Sequence, residues 1–210
     1  VLPERMFQMV SWEMLKPYLQ SHVRLFEIGC AYGFFVNYVL KNGAKQACGI
    51  DVCMDAIQYA RSSFGPFFGL SSDPDVSGFQ FNCLVAWDVW EHLVDPIEYF
   101  SKYISRLAPG GIFAIGTIDS SSAVARIRGA CWRQIHPPTH VHYPTKKGIA
   151  RGMTSLGLEV LEHGHIGHYR ALESYLAVFG LDKLVRGGRL AEQIRKYPIL
   201  LDLKDEQVIT

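Results

Sequence analysis

The chain has 210 residues, 21 Lys and Arg against 20 Asp and Glu, and 49% hydrophobic residues. That suits one domain with a sizeable core, and a net charge of +1 without a long basic run gives no footprint for nucleic acid. Five cysteines without a C-x-x-C pair argue against a disulfide framework or zinc knuckle and fit a reducing cytoplasm, and no signal peptide or apolar stretch near the ~20 residues of a membrane span is visible.

The sequence begins at Val1 rather than Met and stops at Thr210, so it reads as a trimmed chain or part of a longer protein. Met6, Phe7, Val10, Met14, Leu15 and Tyr18 recur at helical spacing. They predict an amphipathic helix, ending around residues 17–20, that covers a sheet edge or closes over a ligand. The apolar run 23–28 reads as a buried parallel strand. Gly29 and Gly33 then let the backbone turn without a Cβ in the way. An apolar helix follows over 34–40. Strand, small-residue turn and helix begin a doubly wound sheet, whose ligands bind at the carboxyl ends of the strands.

A dinucleotide fingerprint needs G-x-G-x-x-G facing a pyrophosphate. Here the glycines are spaced G-x-x-x-G, and Glu27 precedes the first by two residues. A carboxylate there would repel a pyrophosphate and suits a cationic amino-acid ligand. A plainer reading gives the glycines only tight strand–helix packing. Residues 46–51 form the second strand. Asp51 at its tip is placed to accept hydrogen bonds from ribose hydroxyls, or to cap the helix over 54–62.

A short third strand covers 67–70, followed by Ser71, Ser72 and Asp73. The fourth strand, 81–86, is apolar throughout and therefore central. It runs into Trp87, Asp88, Val89, Trp90, Glu91, His92, Leu93, Val94, Asp95 and Pro96. A helix after Pro96 carries Ile97, Phe100, Ile104 and Leu107 on one face and stops at Pro109-Gly110-Gly111, before a fifth strand over 112–117. Residues 119–143 show no clear period and hold Trp132, His136, Pro137, Pro138, His140, His142 and Tyr143. A loop this long is expected to be a functional lid. Thr145 caps a helix with Ile149, Met153 and Leu156 on one face, and a sixth strand is expected over 158–161. Helices over 170–179 and 189–196 make an insertion, 166–197, suited to a substrate cap. There is no internal repeat or linker.

Glu27-x-Gly29-x-Ala31-x-Gly33 resembles the (E/D)-x-G-x-G-x-G motif of class I S-adenosylmethionine-dependent methyltransferases, with Ala31 at the middle glycine. The stretch 81–117 resembles the small-molecule enzymes of that class, the group that includes the ubiquinone-biosynthesis methyltransferases. Asp88, Glu91, His92, Asp95 and Pro96 fit, while Asn82 replaces the usual Asp. Trp132, Pro137 or Pro138, His140, Tyr143 and Thr145 reproduce a substrate-side pattern of the same enzymes.

The resemblance implies a single domain over 1–210 with a Rossmann-like, doubly wound α/β fold. Its seven-stranded sheet would be mostly parallel, with helices on both faces and an antiparallel last strand from the tail 201–210. It also implies S-adenosylmethionine as cofactor, held by Glu27, Gly29, Cys30, Ala31, Gly33, Asp51, Val52, Trp87 and Asp88. Asp88 would lie near the methionine part, Glu91 would cap the next helix, and Asp73 is the one acid placed to reach the adenine.

Methyl transfer from a sulfonium is an in-line displacement on an activated electrophile. The protein has mainly to position the partners, which supplies ~7–11 kcal/mol of the barrier. A phenol-like acceptor with pKa ~10 costs roughly 4 kcal/mol to hold ionised at neutral pH, and a histidine can take the proton during transfer. His92 and His140 are the candidates. His136, His140 and His142 could also be read as a metal cluster, but two prolines and the lack of a matched carboxylate argue against it, so no metal is assigned.

After the fourth strand there is no (D/N)-P-P-(Y/F/W) run and no Pro-Cys, which disfavours amide, exocyclic-amine and C5-pyrimidine acceptors. Trp87, Trp90, Trp132, Tyr143 and Tyr169 suit a small or medium apolar acceptor. The expected activity is methylation of a small molecule on a hydroxyl oxygen, with no nucleic-acid partner. One alternative is a catalytically degenerate S-adenosylmethionine-binding module, motivated by Ala31, Asn82 and the missing clear adenine acid. Another is an NAD-dependent oxidoreductase, against which the glycine spacing counts heavily. A third is one domain of a multienzyme assembly acting on a carrier-bound intermediate.

Overall fold

Strands buried on both faces need helices on both sides, and that requirement organises the chain. A computed structural model describes residues 3–19, 21–72, 78–164, 170–171, 200–201 and 206–209. In β1 (Arg24–Ile28) four successive residues are buried, as are four in β2 (Gln46–Asp51) and five in a row in β4 (Phe81–Trp87). With β3 (Phe68–Leu70) and β5 (Leu107–Ile118) these strands run parallel. At the far edge, β9 (Glu206–Ile209) is antiparallel to β5, and β6 (His163–Gly164) is antiparallel to β9. The strand order is β3-β2-β1-β4-β5-β9-β6, so the expected Rossmann-like α/β sheet is present, with five parallel strands.

Side chains alternate between two cores, as the pleat requires. Leu25, Cys83 and Val85 point into one, which also holds Trp12, Leu15, Phe35, Val36, Val39, Ile57 and Ala60. These residues come from α1 (Pro3–Leu15), α2 (Phe34–Lys41) and α3 (Met54–Phe64). Phe26, Ile28, Leu84 and Ile115 point into the other, against Phe100 of α4 (Pro96–Ile104) and Ile149 and Met153 of α6 (Lys146–Ser155). Thr145 caps α6 by accepting from the Gly148 N–H at 3.1 Å.

Register places the site. Ile28 stands opposite Ile50 on one side and Ala86 on the other, so the carboxyl ends of β1, β2 and β4 lie level. Strand order reverses between β1 and β4, the switch point at which such sheets bind ligands.

Several expectations are corrected. β5 begins at Leu107, not after Pro109-Gly110-Gly111. Leu107 pairs with Phe81 and Ile112 with Cys83, so the residues between them bulge out of the ladder, and Gly110 takes φ +71° there. Residues 158–161 form no strand; the Leu158 N–H closes the end of α6 on the Met153 carbonyl at 3.1 Å. Residues 119–143 contain a short helix, α5 (Ala123–Arg128), capped by Ser122, and a 3-10 turn, Gly129–Cys131. Arg170 does not start a helix: β7 (Arg170–Ala171) pairs with β8 (Leu200–Leu201) in a separate two-stranded sheet. The rest of the expected insertion over 166–197, with Tyr169 and Asp73, lies outside the described residues. Asn82 has a structural task at the amino end of β4, where its Oδ1 accepts from the Arg24 N–H at 2.8 Å.

Candidate active site

The glycine turn after β1 is tied to β2 by its backbone. The N–H groups of Gly29 and Cys30 both donate to the Ile50 carbonyl, at 2.8 and 2.9 Å. Gly29 takes φ +75°, and a Cβ there would sit 2.5 Å from Val89 Cγ2. Gly33 takes φ +77°, and a Cβ there would meet the Phe68 ring at 2.5 Å. Ala31 occupies the left-handed region as well, at φ +44°. Its N–H donates to Asp51 Oδ2 at 2.8 Å, while the Cys53 N–H donates to Asp51 Oδ1 at 2.8 Å. Turns on both sides thus aim the Asp51 carboxylate. The helix-capping alternative fails, because α3 is preceded by Cys53 and has no side-chain cap.

A cavity of about 540 Å³ opens at the carboxyl ends of β1, β2 and β4. Of the residues expected to hold the cofactor, Gly29, Ala31, Asp51, Val52, Trp87 and Asp88 line it, and so does His92. Glu27, Cys30 and Gly33 do not. Glu27 is buried beneath the turn with Oε2 unpartnered among the described residues. Burial pushes its pKa well up, the Asp51 charge adds to this, and the Val36 backbone N–H partly opposes it. The buried Cys30 thiol is likewise pushed up by desolvation. Gly33 serves packing against Phe68. A larger cavity, about 700 Å³, includes Lys45, Cys48 and Phe68 in its lining; it lies at the amino ends of β2 and β3, away from the ligand-binding end of such sheets.

Trp87 is wedged between Phe7 of α1 and Phe35 of α2, edge to face at 5.9 and 5.6 Å between ring centroids. Its buried indole N–H has no partner among the described residues. Trp90 does not reach the cavity but stacks on Phe100 in the core, and Trp132 packs with Ile118 and Ala125. The sequence passed over Tyr99, which lines the cavity from α4. Burial, followed by its hydrogen bond with Tyr103, raises the Tyr99 phenol pKa. Between Ile97 and Phe100 an aromatic reads as core, so only the cavity distinguishes it.

His92 follows β4 on the 3-10 turn Trp90–His92, and His140 comes from the loop after α5. The two rings meet at 4.8 Å between centroids, at 75°. His92 Nδ1 lies 2.8 Å from the Thr139 carbonyl, and His140 Nδ1 lies 2.8 Å from the Gln134 carbonyl. A carbonyl only accepts, so both rings carry a proton on Nδ1, and the tautomer this selects for a neutral imidazole has its lone pair on Nε2.

Glu91 does not cap α4. Asp95 does, accepting from the Glu98 N–H at 2.9 Å. Glu91 is buried, and its Oε2 accepts from Thr117 Oγ1 at 2.9 Å. Burial raises its pKa, against the Thr117 bond and the facing imidazoles, which lower it. Its carbonyl accepts from the N–H groups of Val141 and His142, at 2.8 and 3.2 Å, fastening the loop to the turn. One donor atom each of Glu91, His92 and His140 lies within 4.8 Å of the other two. The run His136, His140 and His142 does not converge: His142 Nε2 bonds the Val94 carbonyl at 3.0 Å, and His136 Nδ1 meets Thr139 Oγ1 at 2.7 Å.

A family model described as a methyltransferase domain matches residues 4–163. No curated protein sequence matches the chain. Among solved structures, an S-adenosylmethionine-dependent methyltransferase from Mesorhizobium loti superposes with a TM-score of 0.61 at 15% identity, covering 95% of each chain. The magnesium protoporphyrin IX methyltransferase from Synechocystis, solved with S-adenosylhomocysteine bound, gives 0.57 at 15% identity over 99% of this chain and 81% of its own. The 4+2 cyclase SpnF gives 0.62 at 16% identity over 96% of this chain and 79% of its own. At such identities these likenesses concern the fold.

Proposed function

The chain belongs to the methyltransferase-domain family, which draws its methyl group from S-adenosylmethionine, and from that premise we propose that it methylates a hydroxyl oxygen of a small, largely apolar acceptor. In this reading Asp51 binds the ribose hydroxyls, the Gly29–Gly33 turn and Asp88 face the methionine part, and Glu27 lies beneath as a buried carboxyl whose ionised form a cationic ligand would favour. Trp87, Val89, Leu93 and Tyr99 give the cavity an apolar wall suited to such an acceptor.

The observation that carries the proposal is the pair of imidazoles. His92 lines the cavity and His140 stands beside it, each with Nδ1 anchored on a backbone carbonyl and Nε2 left as an acceptor. The acceptor oxygen attacks the sulfonium methyl, the S–CH3 bond breaks, and sulfur keeps the electron pair as S-adenosylhomocysteine leaves. The acceptor's proton departs through the histidine pair. A carboxylate nucleophile, already ionised at neutral pH, would have little use for that pair.

The motives for a degenerate module weaken. Ala31 is accommodated by the Asp51 hydrogen bond, and Asn82 lies at the opposite end of its strand. We place the enzyme in the reducing cytoplasm, with no nucleic-acid partner. All five cysteines are free, and among the described residues no helix is long and apolar enough to cross a membrane.

The test is calorimetric titration with S-adenosylmethionine, S-adenosylhomocysteine and NAD, followed by turnover on phenols and hydroxylated quinones. Binding of the two sulfur ligands and not NAD is expected. His92→Ala and His140→Ala should then lower turnover by roughly 10²–10⁴ with cofactor affinity nearly unchanged. Full rate in both variants on a good acceptor would remove the proton role.

A further inference from the structure

We infer that the larger cavity, at the amino ends of β2 and β3, is a second binding site for a hydrophobic monocarboxylate, and that its occupancy tightens cofactor binding through the Phe68 ring. The site uses none of the groups assigned above to the acceptor, and it stands whichever atom the enzyme methylates.

The cavity, about 700 Å³, has the size that holds a small organic ligand. It exists because β3 is short. The Gly49 N–H donates to the Phe67 carbonyl at 2.9 Å, and Gly49 pairs with Phe68, the first residue of β3. Main-chain groups alternate between the two edges of a strand, so Ala47 turns its N–H and C=O to the same edge as Gly49. β3 starts too late to cover them, and no main-chain bond takes them up on that side among the described residues. Ala47 is only 2% exposed, and a buried main-chain donor without a partner is costly. The floor of the cavity thus offers a fixed N–H to an acceptor oxygen.

The charge at the cavity has one sign. Among the described residues that line it, Lys45 and Arg61 are cationic and none is acidic. Lys45 is exposed, and no carboxylate pairs with it among the described residues. Arg61 is oriented by its Nε, which donates to the Phe68 carbonyl at 2.7 Å. Arg106 adds positive charge behind the Phe79 wall, donating to the Phe79 carbonyl at 3.2 Å. The remaining surface is apolar, with Leu40, Phe67 and Phe68. Positive charge beside apolar walls selects a single negative charge on an apolar body. A cation would be repelled, and a small hydrophilic anion would leave the walls unused.

Phe68 also separates this cavity from the cofactor turn. Its ring is 1% exposed and packs directly on Gly33, where a Cβ would stand 2.5 Å from it. The Gly33 N–H donates to the Cys30 carbonyl at 2.8 Å, and the Ala31 N–H between them holds Asp51. A ligand behind the ring removes the space into which the ring can recoil. It thereby holds Gly33, Ala31 and Asp51 in the arrangement that faces the cofactor cavity. Order imposed by the first ligand need not be imposed again by the second, so each binding favours the other.

The probe is 2-naphthylacetate, titrated calorimetrically into the full chain with and without S-adenosylhomocysteine, beside the neutral 2-naphthylacetamide and plain acetate. One naphthylacetate per chain is expected, bound about 10-fold more tightly than the amide, with no saturable heat from acetate. It should lower the dissociation constant of S-adenosylhomocysteine about 5-fold. Lys45→Glu should weaken the probe about 10-fold. Lys147→Glu makes the same charge change on α6, away from the cavity, and should bind as the parent does. Phe68→Leu, melting cooperatively, should still bind the probe, with the S-adenosylhomocysteine constant no longer responding to it. No saturable binding, an amide bound as tightly as the acid, or equal losses in Lys45→Glu and Lys147→Glu would overturn the site. An S-adenosylhomocysteine constant that ignores the bound probe in the parent, or responds equally in Phe68→Leu, would overturn the coupling. Competition with S-adenosylhomocysteine that is indifferent to Lys45→Glu would place the probe in the cofactor cavity and overturn both.

Discussion

Replacing Asp51 with alanine separates cofactor recognition from turn stability. Its carboxylate has roughly four lone-pair sites. The Ala31 and Cys53 N–H groups occupy one on each oxygen, both at 2.8 Å, which leaves two for the ribose hydroxyls. A hydrogen bond to a charged group contributes ~1.5–3 kcal/mol, so the pair contributes about 3–6 kcal/mol. Asp51 is only half-buried, so water competes and the lower figure applies. The dissociation constant for S-adenosylhomocysteine should rise about 100-fold. Stability should fall less. Ala31 holds φ +44°, a conformation costing ~1–2 kcal/mol, and the Asp51 bond offsets part of that. The melting temperature should drop by about 2–8 °C. Asp51→Asn keeps the shape and one acceptor oxygen, and should lose about 10-fold in affinity. Calorimetry and a thermal melt measure both quantities. A dissociation constant for Asp51→Ala within about 3-fold of the parent, in a folded protein, would refute the assignment.

Two further outcomes are expected. Gly33→Ala should destabilise by about 2–5 kcal/mol, from left-handed strain and overpacking against the buried Phe68 ring. Gly43→Ala, at φ +112° with no atom within 4 Å of its Cβ, should show the strain alone, and equal losses in urea unfolding would dismiss the Phe68 contact. Glu27→Gln should raise the ligand-free melting temperature at neutral pH and weaken S-adenosylhomocysteine binding. Because burial raises the native pKa of Glu27, the folded chain keeps that proton to higher pH than the unfolded chain. Parent stability should therefore fall as pH rises from the ordinary carboxylate range through the native value, and a Glu27→Gln melt series with the same slope would exclude Glu27 as its source.

Local chemistry made part of this protein legible. Asp51 could be found because an apolar run ends at it and a glycine turn precedes it at a workable distance. Other features depend on partners that sequence does not bring together. Glu91 meets Thr117 across 26 positions, and His92 meets His140 across the loop. Seen alone, Glu91 resembles a helix cap, a task that Asp95 performs four residues later. Leu107 continues the period of Ile97, Phe100 and Ile104, yet pairing with Phe81 draws it into a strand. There tertiary pairing overrides a local pattern. Trp90 and Trp132 looked like acceptor walls because aromatic residues suit cores and cavities equally, and only packing decides.

The double hydrogen bond on the Glu91 carbonyl sets how readily the entrance can breathe. Lifting the loop at Val141 and His142 breaks both bonds, a net cost of about 1–3 kcal/mol. By itself that leaves the lifted form at roughly 0.6–20% of molecules. The segment that carries His140 is therefore closed most of the time, holding its imidazole beside His92.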